Sequence, residues 1–485
     1  MSGRILNPHN NEIMKAIPRW TVALAATLVL SSSVGVHAQT QTAPVSAARS
    51  ATSAPSRSIV AARVDEYLNA SMKIKRFSGT VLIARNGQPL VSKGYGMANI
   101  EDGTANTPQT KFRVGSVTKQ FTSMAVMMLQ ERGKLNVADP VCKYVPDCPG
   151  AWQAITIRHL LTHTSGIPNY TSFPDFSTVA RTKMTVPALV DVFKNKPLDF
   201  TPGEKYNYSN SGYVLLGYLI ERVSGKSYQD FLRENIFAPL RMVNSGYDGT
   251  MLLAHRAAGY AMDPETDSII NAAYIDMSIP FSAGSLYSTV GDLLLWDQAL
   301  YTDRLVSRKT LDEIFTPFKN NYAYGWGVSK QFNRSVIAHS GGIYGFASHI
   351  SRYPDDRVTV IVLTNNEGVA ANNVASDLGA IVFGEPYKLP APLKLVSVAP
   401  GVLDSYVGQY KIPASAVLDI SNESGKLMMV QGGLAVSKRE LLPTSQTEFV
   451  LKGTELQIRF VKDDKGQVIQ LVLPTAGNVI APKIK

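Results

Sequence analysis

Ser116 and Lys119 stand three residues apart in "RVGSVTKQFTSM" (113–124), where a glycine gives way to an apolar run of helical period. A serine hydroxyl is a weak nucleophile until a base removes its proton, and a lysine one helical turn away lies on the same face as the serine. At a helix start the positive end of the macrodipole favours an oxyanion and disfavours a second cation, which drives the lysine toward its neutral, basic form. The pair is suited to nucleophilic acyl transfer. The plain structural alternative is that Ser116 caps its helix, a position serine favours, and Ser-x-x-Lys is short enough to arise by chance. Taken alone, these two residues leave both readings open.

Ser116 heads the sole Ser-x-x-Lys in the chain, and the rival patterns Gly-x-Ser-x-Gly, His-Glu-x-x-His and Gly-x-x-x-x-Gly-Lys are absent. Two further motifs follow in order. "YNYSNSGYVLLG" carries Tyr208-Ser209-Asn210 just before a helical run, and "IAHSGGIYGF" carries His339-Ser340-Gly341, the sole [Lys/His]-[Ser/Thr]-Gly. Each has a plainer reading, since Tyr208 could be a buried aromatic like its neighbour Tyr206. A second Tyr-x-Asn, Tyr67-Leu68-Asn69, precedes the serine and lies in an expected helix. His159 and His163 are spaced like metal ligands on one helix face, but no third ligand lies nearby and the structural reading is preferred. No metal is expected.

The elements that must hold these residues can be read from periodicity. A helix is expected from about Ile59 to Met72, then a β-hairpin about Asn86-Gly87 in "GTVLIARNGQPLVSKGYG". The middle is helical and loop-rich: Val117 to Arg132 stops at Gly133, and "SGYVLLGYLIERVSG" repeats the pattern. "SVIAHSGG", "GFASHISRYPD" and "RVTVIVLTN" read as three successive strands. Strands flanking a helical middle predict an α+β domain with an antiparallel sheet assembled from both ends of the segment, residues 58–385. A proline-rich linker, 386–399, precedes short alternating runs that predict a small all-β domain over 400–485.

With 485 residues, 45% hydrophobic and 18% charged, the chain has globular composition and is too long for one ordinary domain. Residues 1–38 read as a signal peptide: Lys15 and Arg19 precede "WTVALAATLVL", and "VHA" predicts cleavage after Ala38. Met14 is an alternative start and an uncleaved anchor the alternative reading of the apolar run, which is short for a span. Residues 39–57 form a small, polar, proline-bearing tether. Removing the leader takes away three cations and one anion, leaving +8 of the formal +10, scattered rather than blocked, so nucleic acid is not an expected partner. In an exported chain Cys142 and Cys148 are expected to form a disulfide.

The three ordered motifs, with "LLTHTSGIP" (160–168), "AGSLYSTVGDLLLWDQAL" (283–300) and "YGWGV" (324–328), resemble the serine β-lactamase and penicillin-binding-protein superfamily. The likeness is to the branch of class C β-lactamases, D-alanyl-D-alanine carboxypeptidases, D-aminopeptidases and esterases. It implies an antiparallel sheet flanked by helices with an all-helical subdomain, and no cofactor. Ser116 would be acylated, Lys119 would accept its proton, and Tyr208 would relay a proton to the leaving group and later activate water. The backbone N–H groups of Ser116 and Gly342 would form the oxyanion hole, Asn210 would hold the acyl-side amide of the substrate, and His339 would help position the substrate and tune Tyr208 or a substrate carboxylate. The C-terminal domain resembles the small lipocalin-like β-barrels appended to some D-aminopeptidases and their relatives.

Two departures matter. His339 stands where class C β-lactamases usually carry lysine, and the second motif is Tyr-Ser-Asn rather than Tyr-Ala-Asn. The expected activity is therefore that of an exported, periplasmic or secreted serine hydrolase acting on small-molecule or short-peptide substrates such as D-amino acid and cell-wall peptides. A class C-like β-lactamase or esterase is the alternative within the fold. A non-catalytic envelope binding protein, with the β domain as its working surface, is the alternative of another class.

Overall fold

The computed structural model describes residues 55–74, 77–263, 266–412, 417–431, 438–454, 456–474 and 479–485. The expected leader, its cleavage point and the tether as far as residue 54 lie outside them. The principal helices are α1 (Arg57–Lys73), α2 (Thr118–Glu131), α3 (Asn210–Ser224), α4 (Val290–Ala299) and α5 (Ala371–Phe383). The central sheet is built from β1 (Gly79–Arg85), β2 (Gln88–Tyr95), β3 (Gly327–Gln331), β4 (Arg334–Ile343), β5 (Phe346–Tyr353) and β6 (Val358–Thr364). Their order is β3-β4-β5-β6-β1-β2, antiparallel throughout. The two ends of the segment meet at β1 and β6, where Gly79 pairs with Thr364 and Arg85 with Val358.

Both faces of this sheet are covered, which is why its inner strands read as near-continuous apolar runs. Side chains alternate: Val81, Ile83, Val360 and Val362 pack against α1 and α5, whereas Leu82, Ala84, Ile361 and Leu363 face the helical layer that contains Phe121, Met124 and Leu293. A buried ion pair ties the layers together, Arg352 Nε of β5 donating to Asp297 Oδ1 of α4 at 2.5 Å, with Thr359 Oγ1 donating to Asp297 Oδ2 at 2.6 Å. The second core layer is helical. α2 is buried on nearly every side and runs through its centre, with α3 beside it. Cys142 and Cys148 are joined in a disulfide in the loops beyond α2. Among the described residues, no helix is long and apolar enough to cross a membrane.

The C-terminal segment forms a second sheet of eight antiparallel strands, each pairing with the next in sequence, from Gly408–Lys411 to Val479–Pro482. Its first and last strands meet at a bridge between Tyr410 and Lys483, so the ladder turns back on itself as a small barrel. Tyr406 of the short helix Pro400–Tyr406 enters the barrel core and stacks on Phe460, with ring centroids 4.2 Å apart.

Candidate active site

Ser116 lies in a single 3₁₀ turn, Gly115–Val117, that precedes α2. It does not cap α2, the plain structural role its sequence left open: the residue before α2 is Val117, and no side chain caps either the turn or the helix. The tighter turn moves the serine off the capping position and leaves its hydroxyl for Lys119. Gly115 adopts φ +50°, and a Cβ there would stand 2.8 Å from Gly342 N. Gly341 is close-packed too, since a Cβ would come within 2.0 Å of Val114 O and 3.0 Å of Ser116 N. The serine turn is thus seated directly against the end of β4, and Ser348 Oγ of β5 pins it by donating to Val114 O at 2.8 Å. β3 ends opposite Ala338, so the edge of β4 from His339 to Ile343 has no β3 partner where the turn approaches.

Lys119 is fully buried, and its Nζ has three neighbours: Ser116 Oγ at 3.0 Å, Asn210 Oδ1 at 2.8 Å and Ala283 O at 2.9 Å. Two of these, an amide oxygen and a carbonyl, can only accept. A neutral amine has two N–H groups for them and one lone pair for the serine hydroxyl. Burial pushes the Lys119 pKa well below that of an ordinary lysine, toward this neutral form. Ser116 and Lys119 therefore make a nucleophile and base in contact.

Tyr208 and Asn210 straddle the start of α3. The Tyr208 ring centroid lies 4.8 Å from Lys119 Nζ, and the Ser116 side chain acts on its phenol. Burial drives its pKa well above that of a free tyrosine, with Ser116 opposing, so the phenol stays protonated. Asn210 accepts from Lys119 and donates from Nδ2 to Thr171 Oγ1 at 3.2 Å, while its backbone N–H donates to Asn169 Oδ1 at 3.0 Å. The loop beginning "HTSGIP" shapes the rim by capping α3 from outside, through Asn169.

That loop also supplies His163, whose ring lies 4.2 Å from that of Tyr208. Its Nδ1 accepts from Ser209 N–H at 3.1 Å and its backbone oxygen accepts from Asn207 N–H at 2.9 Å, one on each side of Tyr208. Burial holds the ring neutral. His159 is structural: its Nδ1 accepts from Thr156 N–H in a capping box.

His339 joins the cluster differently from expectation. Its ring, 2% exposed, donates from Nδ1 to Ser340 O at 2.6 Å and accepts at Nε2 from the Tyr322 hydroxyl at 2.9 Å. Burial first, and then Lys119, push its pKa down to about 3. It approaches Tyr208 only ring to ring, with centroids 6.4 Å apart. Gly342, the next-to-last residue of β4, is exposed beside the serine turn. The six residues singled out from sequence thus come together, whereas Tyr322, His163, Thr171 and the Ala283 carbonyl were not foreseen.

The chain matches the beta-lactamase family over residues 60–381. It is 32% identical over 413 residues to penicillin-binding protein 4* of Bacillus subtilis strain 168, across 79% of this chain and 90% of that protein. Among solved structures it resembles a penicillin-binding protein from Bacillus halodurans (28% identity, TM-score 0.59, 65% of this chain and 98% of that one). It also resembles a D-stereospecific amidohydrolase from Streptomyces sp. (26% identity, TM-score 0.58, 68% of this chain and 100% of that one).

Proposed function

Because this chain belongs to the beta-lactamase family, a family of serine hydrolases, we propose that it is exported and cleaves amide or ester bonds of small D-amino acid derivatives and peptides through an acyl-enzyme on Ser116. The observation that carries the reading is the 3.0 Å contact between Ser116 Oγ and the buried Lys119 Nζ. Lys119 takes the serine proton as Oγ attacks the substrate carbonyl, and the oxyanion is met by the backbone N–H groups of Ser116 and Gly342. Tyr208, kept protonated by burial, passes a proton to the leaving group. Water then enters from the leaving-group side, gives a proton back along the same path and releases the acid. Asn210, with one Nδ2 hydrogen on Thr171, has the other for the acyl-side amide of the substrate.

The similarity to a D-stereospecific amidohydrolase favours amide substrates of D configuration. Export rests on the leader-like residues 1–38, and a mature N-terminus at Gln39 by protein sequencing is its check. The activity test is fluorophosphonate or fluorescent-penicillin labelling, followed by a panel of D-alanyl-D-alanine peptides, D-amino acid amides, nitrocefin and p-nitrophenyl esters. Wild type should label and turn over, and Ser116→Ala should do neither. Equal labelling of the two proteins would sink the proposal.

A further inference from the structure

The two N–H groups assigned to the oxyanion sit on segments that are held in different ways. The Ser116 turn is pinned from β5 through Ser348, whereas Gly342 stands at the closed end of the hairpin, where β4 passes through Tyr344 and Gly345 into β5. A turn so close to the reacting atoms needs a fixed backbone, and this one is clamped from beyond the hairpin. Gly345 N–H donates to Glu367 Oε2 at 2.6 Å, Gly345 O accepts from Tyr260 N–H at 3.4 Å, and Glu367 N–H donates to Tyr260 O at 3.0 Å. Gly345 has φ +82°, and a Cβ there would stand 2.6 Å from Gly259 Cα, so the turn is seated closely against residues 259–260.

Glu367 follows β6 and lies where the C-terminal barrel meets the hydrolase domain. Gly453 O of the barrel would be 3.4 Å from a Cβ on the neighbouring Gly368, and Met262 Cγ would be 3.7 Å from one on Gly453. Arg439 opens the barrel strand Arg439–Pro443; its Nε is buried without a hydrogen-bond partner among the described residues, and its charge acts on Glu367. Tyr344, in the clamped turn, also feels this carboxyl: burial and then Glu367 push its pKa up to about 12, with Arg181 opposing. Charged groups on the other elements here have partners of their own. Lys452 approaches Glu440, Asp263 accepts from Thr266 N–H, and Glu101 accepts from the Tyr260 hydroxyl.

Burial pushes the Glu367 pKa up to about 7, with the Gly345 N–H and Arg439 opposing. An ionised carboxylate accepts more strongly than a neutral one and is drawn to Arg439, so the clamp tightens as pH rises through 7. The effect on stability has the opposite sign. Between the ordinary 4.5 and about 7 the folded chain holds a proton that the unfolded chain has lost, so this group's contribution to stability falls as pH rises. Near neutral pH, ionising Glu367 weakens the fold while it strengthens the turn.

We propose that Glu367 is a positioning residue for the oxyanion side of the site, holding Gly342 through Gly345, and that the C-terminal barrel reaches the reaction through it by way of Arg439. The inference rests on the serine-hydrolase reading above. It gives the barrel a part in catalysis without a barrel group touching the substrate.

The test is kcat and KM for a p-nitrophenyl ester at pH 6, 7, 8 and 9, per folded molecule, in full-length wild type, Glu367→Ala, Glu367→Gln, Arg439→Met and Ser116→Ala, with thermal melts in parallel. Glu367→Ala removes the acceptor and should lose about tenfold in kcat with KM little changed, and Glu367→Gln, which keeps an acceptor, should recover most of that loss at pH 6. The ratio of wild-type to Glu367→Gln kcat, in which the titration of Lys119 cancels, should rise about threefold or more from pH 6 to 8. Measured in the Arg439→Met background, that rise should move to higher pH, because the carboxylate has lost its cation. A Glu367→Ala protein with wild-type kcat, or a ratio flat with pH, overturns the proposal with the hydrolase reading intact. Turnover by wild type no faster than by Ser116→Ala would instead bring down the hydrolase reading, and the positioning role with it.

Discussion

His163 holds Tyr208 from three directions, through the N–H of the residue before it, the N–H of the residue after it, and a ring contact at 4.2 Å. It does so from a left-handed backbone conformation, φ +55°, which a histidine adopts only under constraint from its surroundings. A tyrosine that must pass a proton needs its hydroxyl fixed to a fraction of an ångström, and the loop beginning at His163 supplies that from outside α3.

Replacing His163 therefore separates packing from hydrogen bonding. Asparagine tolerates the left-handed conformation and offers an acceptor near Ser209 N–H, but leaves the Tyr208 ring without its neighbour. Alanine additionally strands that N–H, at about 1–3 kcal/mol. His163→Asn is expected to fold and to lose about 10- to 100-fold in kcat with KM little changed, and His163→Ala to lose stability as well. Steady-state kinetics on a p-nitrophenyl ester with parallel thermal melts will check this. An Asn variant with wild-type kcat would remove His163 from the positioning of Tyr208.

Lys119 makes a prediction about stability that runs opposite to its importance for activity. Burial lowers its pKa in the folded protein below the ordinary 10.5. Between those two values the unfolded chain carries a proton that the folded one lacks, so wild-type stability rises with pH, by at most about 1.4 kcal/mol per unit. Lys119→Met removes this dependence. Its stability relative to wild type should be highest at low pH and decline steadily toward pH 10, measured by urea denaturation at pH 6, 8 and 10, while its kcat/KM falls about 100- to 10,000-fold. A stability difference flat across that range would mean that Lys119 is charged in the folded state.

What was legible in the sequence follows from where the information sits. Ser116, Lys119, Tyr208, Asn210 and His339 lie in short motifs whose order survives in one dimension, and the period-2 and period-3.6 runs around them gave the sheet and the helices. The partners that finish the site do not lie in motifs. Tyr322 is one of two tyrosines in "NNYAYGWGV", and only the seating of that loop over β4 selects it for His339. The Ala283 carbonyl is backbone, with no residue type to betray it. The capping role that was the alternative for Ser116 is ruled out locally, because the left-handed Gly115 starts a 3₁₀ turn, Gly115–Val117, ahead of the α-helix.

The Cys142–Cys148 bridge spans a sequence separation of 6, which makes it a short-loop staple. Constraining so short a loop in the unfolded chain is worth about 2 kcal/mol. A Cys142→Ser, Cys148→Ser double variant should lose that much in denaturant unfolding and keep its labelling rate with fluorophosphonate, since the hydrogen bonds of Lys119 run to Ser116, Asn210 and Ala283 rather than to this loop. Thiol titration of the unreduced protein should find no free thiol.

The sharpest structural test of the site is Gly341→Ala, because it adds one methyl group where β4 touches the serine turn. The added carbon would sit 2.0 Å from Val114 O and 3.0 Å from Ser116 N, both backbone atoms that no rotamer change can move aside. β4 and the turn must separate, and with them the two N–H groups of Ser116 and Gly342 assigned to the oxyanion. Overpacking of this kind costs about 1–3 kcal/mol or more, and loss of one oxyanion donor alone costs about 100- to 1,000-fold in rate. Gly133→Ala is the control: it too has positive φ, +66°, but an added Cβ meets nothing within 4 Å, so it should be mildly destabilised and label normally. With labelling rates expressed per folded molecule, Gly341→Ala should fall far below Gly133→Ala. Equal rates would mean that the end of β4 does not form the oxyanion side of the site.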